Sequence, residues 1–417
     1  SMLLADRHLG RGFVPGAAGY PRSSISDSAN IVNSLTACLH SIKFWEQLAE
    51  IHPPSLVISN GGGGGLAGKP YALLCRELGI PMRILFSSRF GNSYFWGHDE
   101  FGGFPELEKL LESFPLPTNS EIESVRRELK PNGLASDIFH TQRIAQNLSW
   151  PRIIYLVARV PIQQFYWMMR GYRKARIGAK LFAKMYNCVI ARLNWNELNR
   201  SALKNLTELD TRRVVYFPLQ QQPEASTLTL SPYATNQVAL LNELALSLPA
   251  DVQLVVKEHI YALHGRPKGF YENIKAIPNV TLMHPAVSSL ELIRRADLVC
   301  VITSSAGYEA AVLGKPVVHF GHYSTLFGLK HVWHFDSAKR MDDIRTILRD
   351  VALPGMEKKR ALEGARYYLA TQSLCIDLEA AKIHGREELI SYEECEILSN
   401  SLLNSLPTEF SASFKID

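Results

Sequence analysis

The stretch that decides the fold prediction is VCVITSSAGYEAAVLGKPVVHFG, residues 299–321. An apolar run ends in a small, hydroxyl-rich loop at 303–307, a helix-like segment follows, and a second apolar run begins after Lys315. This order of strand, helix and strand is the repeating unit of a parallel sheet with crossover helices. The loop itself has two interpretations: it only caps the helix, or its backbone N–H groups also bind a phosphate.

The same alternation runs through the second half of the chain. Strands are predicted at 213–219, 252–258, 280–283, 297–302 and 316–320, with helix-like segments between them. Five such strands indicate a Rossmann-type sheet. In the first third, strands at 55–60 and 81–88 enclose a helix at 69–79, and the glycine run 61–65 follows the first of them.

We therefore predict an α/β protein with two Rossmann-like domains around a central cleft. The predicted limits are 1–205 for the first domain, which includes a helical insertion, 206–341 for the second domain, and 342–417 for a helical tail. A chain of 417 residues with 46% hydrophobic and 20% charged residues suits a soluble protein of two domains.

Composition and sequence patterns also disfavour several classes of protein. No apolar run reaches the length of a membrane span, and SMLLADRH lacks the pattern of a secretory signal, so we expect a cytoplasmic protein rather than a periplasmic binding protein. The six cysteines form no CxxC pair, which favours reduced thiols over disulfides or zinc. An NAD enzyme is disfavoured because no GxGxxG follows the expected strands. We expect no metal and no cofactor.

A basic segment at 151–190 is the main electrostatic feature. It carries eight Lys or Arg residues and no acid, interleaved with Tyr, Phe and Trp. One interpretation is an amphipathic surface that contacts an anionic membrane. The other is a helical linker whose cations face solvent or an acidic glycan. Nucleic-acid binding is disfavoured because no recognised module accompanies the charge.

Polar side chains follow several of the predicted strands. Lys257, Glu258 and His259 end one strand, and a Lys with a His can neutralise a departing phosphate. His284 follows the next strand, ahead of a capping pair formed by Ser288 and Glu291. The carboxyl ends of parallel strands meet at one edge of a sheet, so these groups and the 303–307 loop predict one nucleotide site. Each group alone has a purely structural alternative.

The remaining candidates lie elsewhere in the chain. FPLQQQPEAST (217–227) places Gln222 and Glu224 after the strand that opens the second domain, facing the cleft. Asp6, at the end of LLAD, is the first candidate for a catalytic carboxylate, and Asp99 and Glu100 follow it. The glycines after Asn60 would let a substrate approach the backbone closely, or form a loop without function.

The run from YFPLQQQPEAST through VVKEHI to TSSAGYEAAVLGKPVVHFG, about residues 213–321, resembles the capsule polysaccharide biosynthesis family. That family includes bacterial capsule β-Kdo transferases and is similar in layout to GT-B sialyltransferases that use CMP-sugars. The resemblance implies a GT-B fold, a donor nucleotide in the second domain and transfer without a metal. Lys257 and His259 match the family's Lys-Glu-His-Pro motif at the donor phosphate.

The resemblance also extends to the loop. Ser304, Ser305 and Gly307 match the family's small-residue loop, and Glu309 matches the acid that follows it. Two positions depart from the family pattern: Ile260 replaces a proline, and Ser304 stands where glycine is usual. Both alter the backbone beside the expected phosphate, so a nucleotide other than CMP stays open.

These observations lead us to expect a glycosyltransferase that moves a sugar from a nucleotide donor, CMP-Kdo or another CMP-ulosonic acid, to a surface-polysaccharide or glycolipid acceptor. The alternatives are a GT-B sugar-nucleotide epimerase and a non-catalytic glycan-binding assembly protein. The expected residues fall into three groups. The catalytic group is Asp6, His259 and Glu224; the donor-binding group is Lys257, Glu258, His284, Ser288, Ser289, Thr303, Ser304, Ser305, Gly307 and Glu309; the acceptor-binding group is Asn60, Gly61, Arg89 and Gln222.

Overall fold

The computed structural model describes residues 28–60, 65–129, 149–169, 177–222, 227, 231, 234–321, 324–335, 341–378 and 391–407. Its strands fall into two sheets. In chain order they are β1 (Val57–Asn60), β2 (Met82–Ser87), β3 (Ser93–Gly97), β4 (Arg213–Pro218), β5 (Val252–Lys257), β6 (Val280–Met283), β7 (Leu298–Val301), β8 (Val317–His319), β9 (Val332–His334) and β10 (Ile376–Asp377).

Helices connect and cover the two sheets. In chain order they are α1 (Ser28–Ile51), α2 (Gly65–Leu78), α3 (Pro105–Ser113), α4 (Asn119–Glu128), α5 (Trp150–Met169), α6 (Ile177–Ser201), α7 (Gln237–Ser247), α8 (Phe270–Lys275), α9 (Ser289–Arg295), α10 (Ser305–Val312), α11 (Asp343–Asp350), α12 (Met356–Leu374) and α13 (Tyr392–Asn404). Among the described helices, none combines the length and apolar composition that a membrane crossing requires.

The second sheet is parallel throughout its described strands, in the order β6-β5-β4-β7-β8-β9. Counted from its own first strand this is 3-2-1-4-5-6, the order of Rossmann sheets. The order reverses between β4 and β7, and in such sheets the ligand crevice lies beyond the carboxyl ends at that reversal. The predicted α/β class with two units is confirmed.

Alternating side chains explain why this sheet is buried on both faces. Val215, Phe217 and Leu254 pack on one face with α7, α8 and α11. Val214, Tyr216 and Val255 pack on the other face with α9, α10 and α12. Strand side chains point to opposite faces in turn, so two apolar layers need a nearly continuous apolar run, as RVVYFP and VQLVVK supply.

The first sheet differs from a purely parallel Rossmann sheet. β1 and β2 are parallel and joined through α2, whereas β2 and β3 form an antiparallel pair. The fourth strand, β10, comes from near the end of the described chain and pairs antiparallel with β3. The Arg83 guanidinium on β2 also donates to the carbonyl oxygen and hydroxyl of Ser405. The end of the chain therefore completes the first unit, and the predicted domain limits stay a prediction.

One apolar cluster joins the two units. Phe90, Phe95 and Phe104 of the first unit belong to the same buried cluster as Tyr216 and the α10 residue Ala310 of the second. The Phe90 ring meets the Tyr368 ring edge-on at 5.1 Å between centroids, and Tyr368 is supplied by α12. The cluster fixes the two walls of the cleft relative to each other.

Candidate functional site

A cleft of about 920 Å³ lies between the two units. On the second unit it is bounded by the carboxyl ends of β4 and β5 and by the amino ends of α9 and α10. On the first unit it is bounded by the turn between β2 and β3, the end of α4, the end of α12 and β10. Its volume lies at the upper end of the range for small-molecule sites, roughly 300–1,000 Å³. The sheet edge predicted to bind a ligand is therefore a wall of this cleft.

Lys257 and His259 stand at the end of β5 and line the cleft. The Lys257 side chain is largely buried, and its Nζ donates a hydrogen bond of 2.7 Å to Ser289 Oγ. His259 is exposed, with its ring 5.8 Å from that of Tyr261 between centroids. A held ammonium beside an exposed imidazole can stabilise an anion at this edge of the sheet.

Glu258 lies between these two residues in sequence, and its carboxylate is held inside the second unit. Its oxygens accept hydrogen bonds of 2.8 and 2.7 Å from Arg266 and one of 2.9 Å from the Tyr271 hydroxyl. Burial is the main reason why the pKa of Tyr271 lies well above its usual value. The His259 N–H donates to Glu258 Oε1 at 2.6 Å. This side chain fixes the backbone that presents His259, and donor contact by Glu258 stays a prediction.

The small-residue loop before α10 both caps the helix and faces the cleft. The Ser304 side chain is the N-cap and accepts from the Ala306 N–H at 3.3 Å, while Ser304, Ser305 and Glu309 line the cleft. The two interpretations of this loop are compatible, because the remaining amide groups at the helix start keep their dipole orientation.

Gly307 lies behind that surface, against β7. A Cβ added to it would stand 2.7 Å from Val301 Cγ2, so glycine is needed for the close approach of helix and strand. Donor contact by Gly307 stays a prediction. Ser288 behaves similarly at α9: it is the N-cap, accepting from the Glu291 N–H at 3.3 Å, and it lines the cleft beside Ser289.

A buried amide network supports the strand ends from below. The Gln237 Nε2 donates to Gln222 Oε1 at 2.8 Å and to the Gln220 carbonyl oxygen at 3.0 Å. The Thr303 hydroxyl donates to Gln220 Oε1 at 3.1 Å. Gln222 and Thr303 are both buried. Both residues therefore support the sheet edge, and their contacts with acceptor and donor stay predictions.

His284 also lies beneath the cleft surface. It is buried, its Nδ1 accepts from the Ala286 N–H at 3.2 Å, and its ring lies 4.8 Å from that of Trp195. Burial, followed by the charges of Lys204 and Lys257, lowers the pKa of His284 to about 4. The imidazole is therefore neutral at physiological pH, and donor contact by His284 stays a prediction.

The first unit contributes residues that sequence reasoning missed. Arg89, the one predicted residue on this wall, has a left-handed backbone conformation with φ of 74°. The missed lining residues include Asn92, Arg127, Glu128, Tyr368, Gln372 and Asp377. They come from a turn, two helix ends and a two-residue strand that share no sequence pattern. They have in common only their position around the cleft.

Other predicted residues lie elsewhere. Asp6, Gly61 and Glu224 lie outside the described residues, and Asn60 is the last residue of β1. Asp99 accepts hydrogen bonds from the Phe101 and Gly103 N–H groups, and Glu100 is buried in an ion pair of 2.7 Å with Arg76. These two carboxylates stabilise the chain locally. Within the described ranges, no group of three His, Cys, Asp or Glu side chains is arranged to hold a metal ion.

Residues 150–367 match the family model described as capsule polysaccharide biosynthesis protein. Among curated proteins, none matches the chain. Solved structures that resemble the chain include the beta Kdo 2,7 transferase KpsC of Thermosulfurimonas dismutans. The two sequences are 17% identical, the match covers 77% of this chain and 79% of that chain, and the TM-score is 0.35.

Two further solved structures show similar values. The beta Kdo 2,4 transferase KpsC of the same organism has 16% identity, coverage of 75% and 80%, and a TM-score of 0.37. The UDP-GlcNAc 2-epimerase of Neisseria meningitidis has 12% identity, coverage of 81% and 80%, and a TM-score of 0.28. The family match alone spans more than half of the chain, and by it the protein belongs to the capsule polysaccharide biosynthesis family.

Proposed function

We propose that this protein is a GT-B glycosyltransferase that moves a sugar from a nucleotide donor to a surface-polysaccharide or glycolipid acceptor. One observation carries the proposal: Lys257 at the end of β5, His259 just after it and the Ser304–Ser305 segment after β7 line the same cleft, opposite a polar wall of the first unit. Donor and acceptor sites on facing units suit a group transfer, because water is displaced when both substrates fill the space between them.

In this proposal the phosphate of the donor lies between the end of β5 and the start of α10. Lys257 supplies positive charge without a metal ion, and the amino end of α10 supplies backbone N–H donors. His259 interacts with the same phosphate as the bond to the sugar breaks. Glu309, on the cleft-facing side of α10, accepts hydrogen bonds from the ribose. We propose CMP-Kdo or another CMP-ulosonic acid as the donor, and Asp6 or Glu224 as the catalytic carboxylate.

A thermal-shift panel with CMP, UDP and GDP tests the donor site. A nucleotide that binds only the folded state raises the unfolding temperature. We expect one nucleotide to do so in the native chain and to lose most of that effect in Lys257→Met. No stabilisation by any of the three would contradict the transferase and favour the glycan-binding alternative.

A turnover assay tests the reaction class. We expect His259→Ala to lower release of nucleotide from the sugar donor by about 100-fold, as for loss of one group that stabilises developing charge. Circular dichroism should show an unchanged fold, because His259 is exposed. Conversion of UDP-GlcNAc to its epimer without any acceptor would instead support the epimerase.

We also propose that the basic segment 151–190 contacts the inner face of the plasma membrane. Along α5, Ile154, Ile162 and Phe165 are 64%, 69% and 66% exposed, and Arg152 and Arg159 are exposed on the same helix. An apolar helix face with adjacent arginines suits an anionic lipid surface. We expect flotation with vesicles of phosphatidylglycerol and phosphatidylcholine, reduced in Ile162→Ser/Phe165→Ser and unchanged in Ile397→Ser on α13. Equal flotation of the native protein and both variants would reject this surface.

A further inference from the structure

The first-unit wall of the cleft contains a cluster of polar side chains that no sequence motif indicated. Arg127 and Glu128 come from α4, Tyr368 and Gln372 from α12, and Asp377 from β10. They face the donor-side residues Ser304, Ser305 and His259 across the same cavity. We call Arg127, Glu128, Tyr368, Gln372 and Asp377 the return cluster, because most of it lies on the segment of chain that returns to the first sheet.

Backbone pairing fixes the position of Asp377. It lies opposite Ser93 in the antiparallel register of β10 and β3, and the next residue, Leu378, donates its N–H to the Asn92 carbonyl oxygen at 2.9 Å. The Asp377 side chain is exposed. Within the described part of the chain, no hydrogen bond or ion pair occupies its carboxylate. A positioned carboxylate with this exposure can accept hydrogen bonds from ligand hydroxyl groups.

The neighbouring side chains are held by contacts within the protein. The Tyr368 hydroxyl donates to Glu128 Oε2 at 2.7 Å, which links α12 to α4. The Gln372 Nε2 donates to Ser93 Oγ at 3.1 Å, and Ser93 Oγ in turn lies 2.8 Å from Ser88 Oγ. Tyr368 is 9% exposed and packs on Phe90. These contacts fix Glu128, Tyr368 and Gln372 before a ligand binds, which reduces the entropic cost of binding.

The chemistry of the cluster suits a sugar with several free hydroxyl groups. Carboxylate oxygens accept from sugar hydroxyls, while an amide and a guanidinium donate to them. The cluster offers both kinds of group on one wall. The cavity volume of about 920 Å³ is near the upper limit for a single small-molecule site, so it accommodates a second sugar beside a nucleotide sugar.

We propose that the return cluster is the acceptor subsite: Asp377 and Gln372 hold hydroxyl groups of a terminal glycosyl residue, and Arg127 and the Glu128–Tyr368 pair border it. This inference rests on the proposed transferase function. It specifies that the acceptor ends in a sugar residue with several free hydroxyl groups rather than in a simple alcohol. It assigns part of acceptor binding to α12 and β10.

Ligand-observed saturation-transfer NMR on the full chain tests this subsite. The probes are free Kdo, methyl α-glucoside and methyl α-galactoside at millimolar concentration. We expect transfer to at least one probe in the native protein. We expect the affinity for that probe to fall about tenfold in Asp377→Asn and further in Asp377→Asn/Gln372→Ala, the size expected when a hydrogen bond to a charged group is lost.

Asp251→Asn is the matched control, because Asp251 is exposed at the amino end of β5, away from the cleft. It should bind the probe as the native protein does. An absence of transfer to all three probes, or equal affinity in Asp377→Asn and Asp251→Asn, would overturn the subsite. The nucleotide panel is measured on the same samples: nucleotide stabilisation that persists in Asp377→Asn separates failure of this subsite from failure of the proposed transferase.

Discussion

Arg266 and Glu258 form an ion pair that is withdrawn from solvent: Arg266 Nη2 lies 2.7 Å from Glu258 Oε1, and the two side chains are 2% and 0% exposed. Arg266 also donates to the Gln220 carbonyl oxygen at 2.8 Å. The pair therefore ties the residue that follows β5 to the segment that follows β4. Two of the strand ends that line the cleft are held by one guanidinium.

Loss of that guanidinium should destabilise the fold strongly. In Arg266→Met the Glu258 carboxylate stays buried without its charged partner, which costs about 3–5 kcal/mol in comparable cases. We expect the free energy of unfolding, measured by urea titration, to fall by that amount. Arg126→Met is the control: Arg126 pairs with Glu123 at 2.7 Å on the surface, and its loss should change stability by less than about 1 kcal/mol. Similar losses in both variants would contradict the role given to the buried pair.

Gly307→Ala should destabilise the protein through a single contact. The new Cβ would stand 2.7 Å from Val301 Cγ2, and overpacking of this kind costs about 1–3 kcal/mol. The double variant Gly307→Ala/Val301→Ala removes the opposing methyl groups. We expect a favourable coupling energy between the two changes in a double-mutant cycle. Strict additivity would show that the glycine serves another purpose.

Lys257 and Ser289 should differ in their effect on nucleotide affinity. Lys257→Met removes the ammonium, and we expect the Kd for the stabilising nucleotide to rise tenfold or more, as for a lost hydrogen bond to a charged group of about 1.5–3 kcal/mol. Ser289→Ala removes only the hydroxyl that accepts from Lys257 Nζ, so its effect should be smaller. Titration calorimetry measures both. Lys330→Met, on an exposed residue away from the cleft, should match the native protein.

The stability of the protein should depend on pH through Glu197 of α6, which lies beside Glu272 of α8. Burial, followed by a hydrogen bond and repulsion from Glu272, raises the pKa of Glu197 to about 7. A carboxyl group with a raised pKa in the folded state binds its proton more tightly there than in the unfolded chain, so stability is lost as pH rises from the ordinary pKa toward 7. In Glu197→Gln we expect that loss to disappear.

The measurement is urea unfolding of Glu197→Gln and the native protein at acidic and at mildly alkaline pH. The free energies of unfolding of the variant and the native protein should differ by less than about 1 kcal/mol, because the site is partly solvated. The variant should be the more stable of the two only on the alkaline side. A difference independent of pH would mean that Glu197 and Glu272 do not share a proton.

The second sheet could be predicted closely from sequence. Its inner strands are buried on both faces, so runs such as VQLVVK stand out from their surroundings, and the prediction at 280–283 coincides with β6. β9 was missed because VWH is short and begins soon after a 3-10 turn. β10 was missed because two residues carry no periodic signal, and its partner β3 lies far away in sequence.

The candidate site was predicted in part. Lys257, His259, Ser304 and Ser305 line the cleft because the carboxyl ends of parallel strands must meet at one edge. Sequence could not tell which neighbours point outward. Glu258 and Thr303 lie beside cleft residues, yet Arg266 and Gln220 hold them inside. Those partners come from other elements, so only tertiary structure reveals them.

The pairing of β10 with β3 has a consequence for biosynthesis. During translation β1, β2 and β3 are synthesised early. β10, which pairs with the other edge of β3, is synthesised only after all strands of the second sheet. The later unit can thus acquire its hydrophobic interior while the earlier one still exposes an unpaired edge, which is vulnerable to association with other nascent chains. A premature stop before Ile376 would leave that edge permanently open.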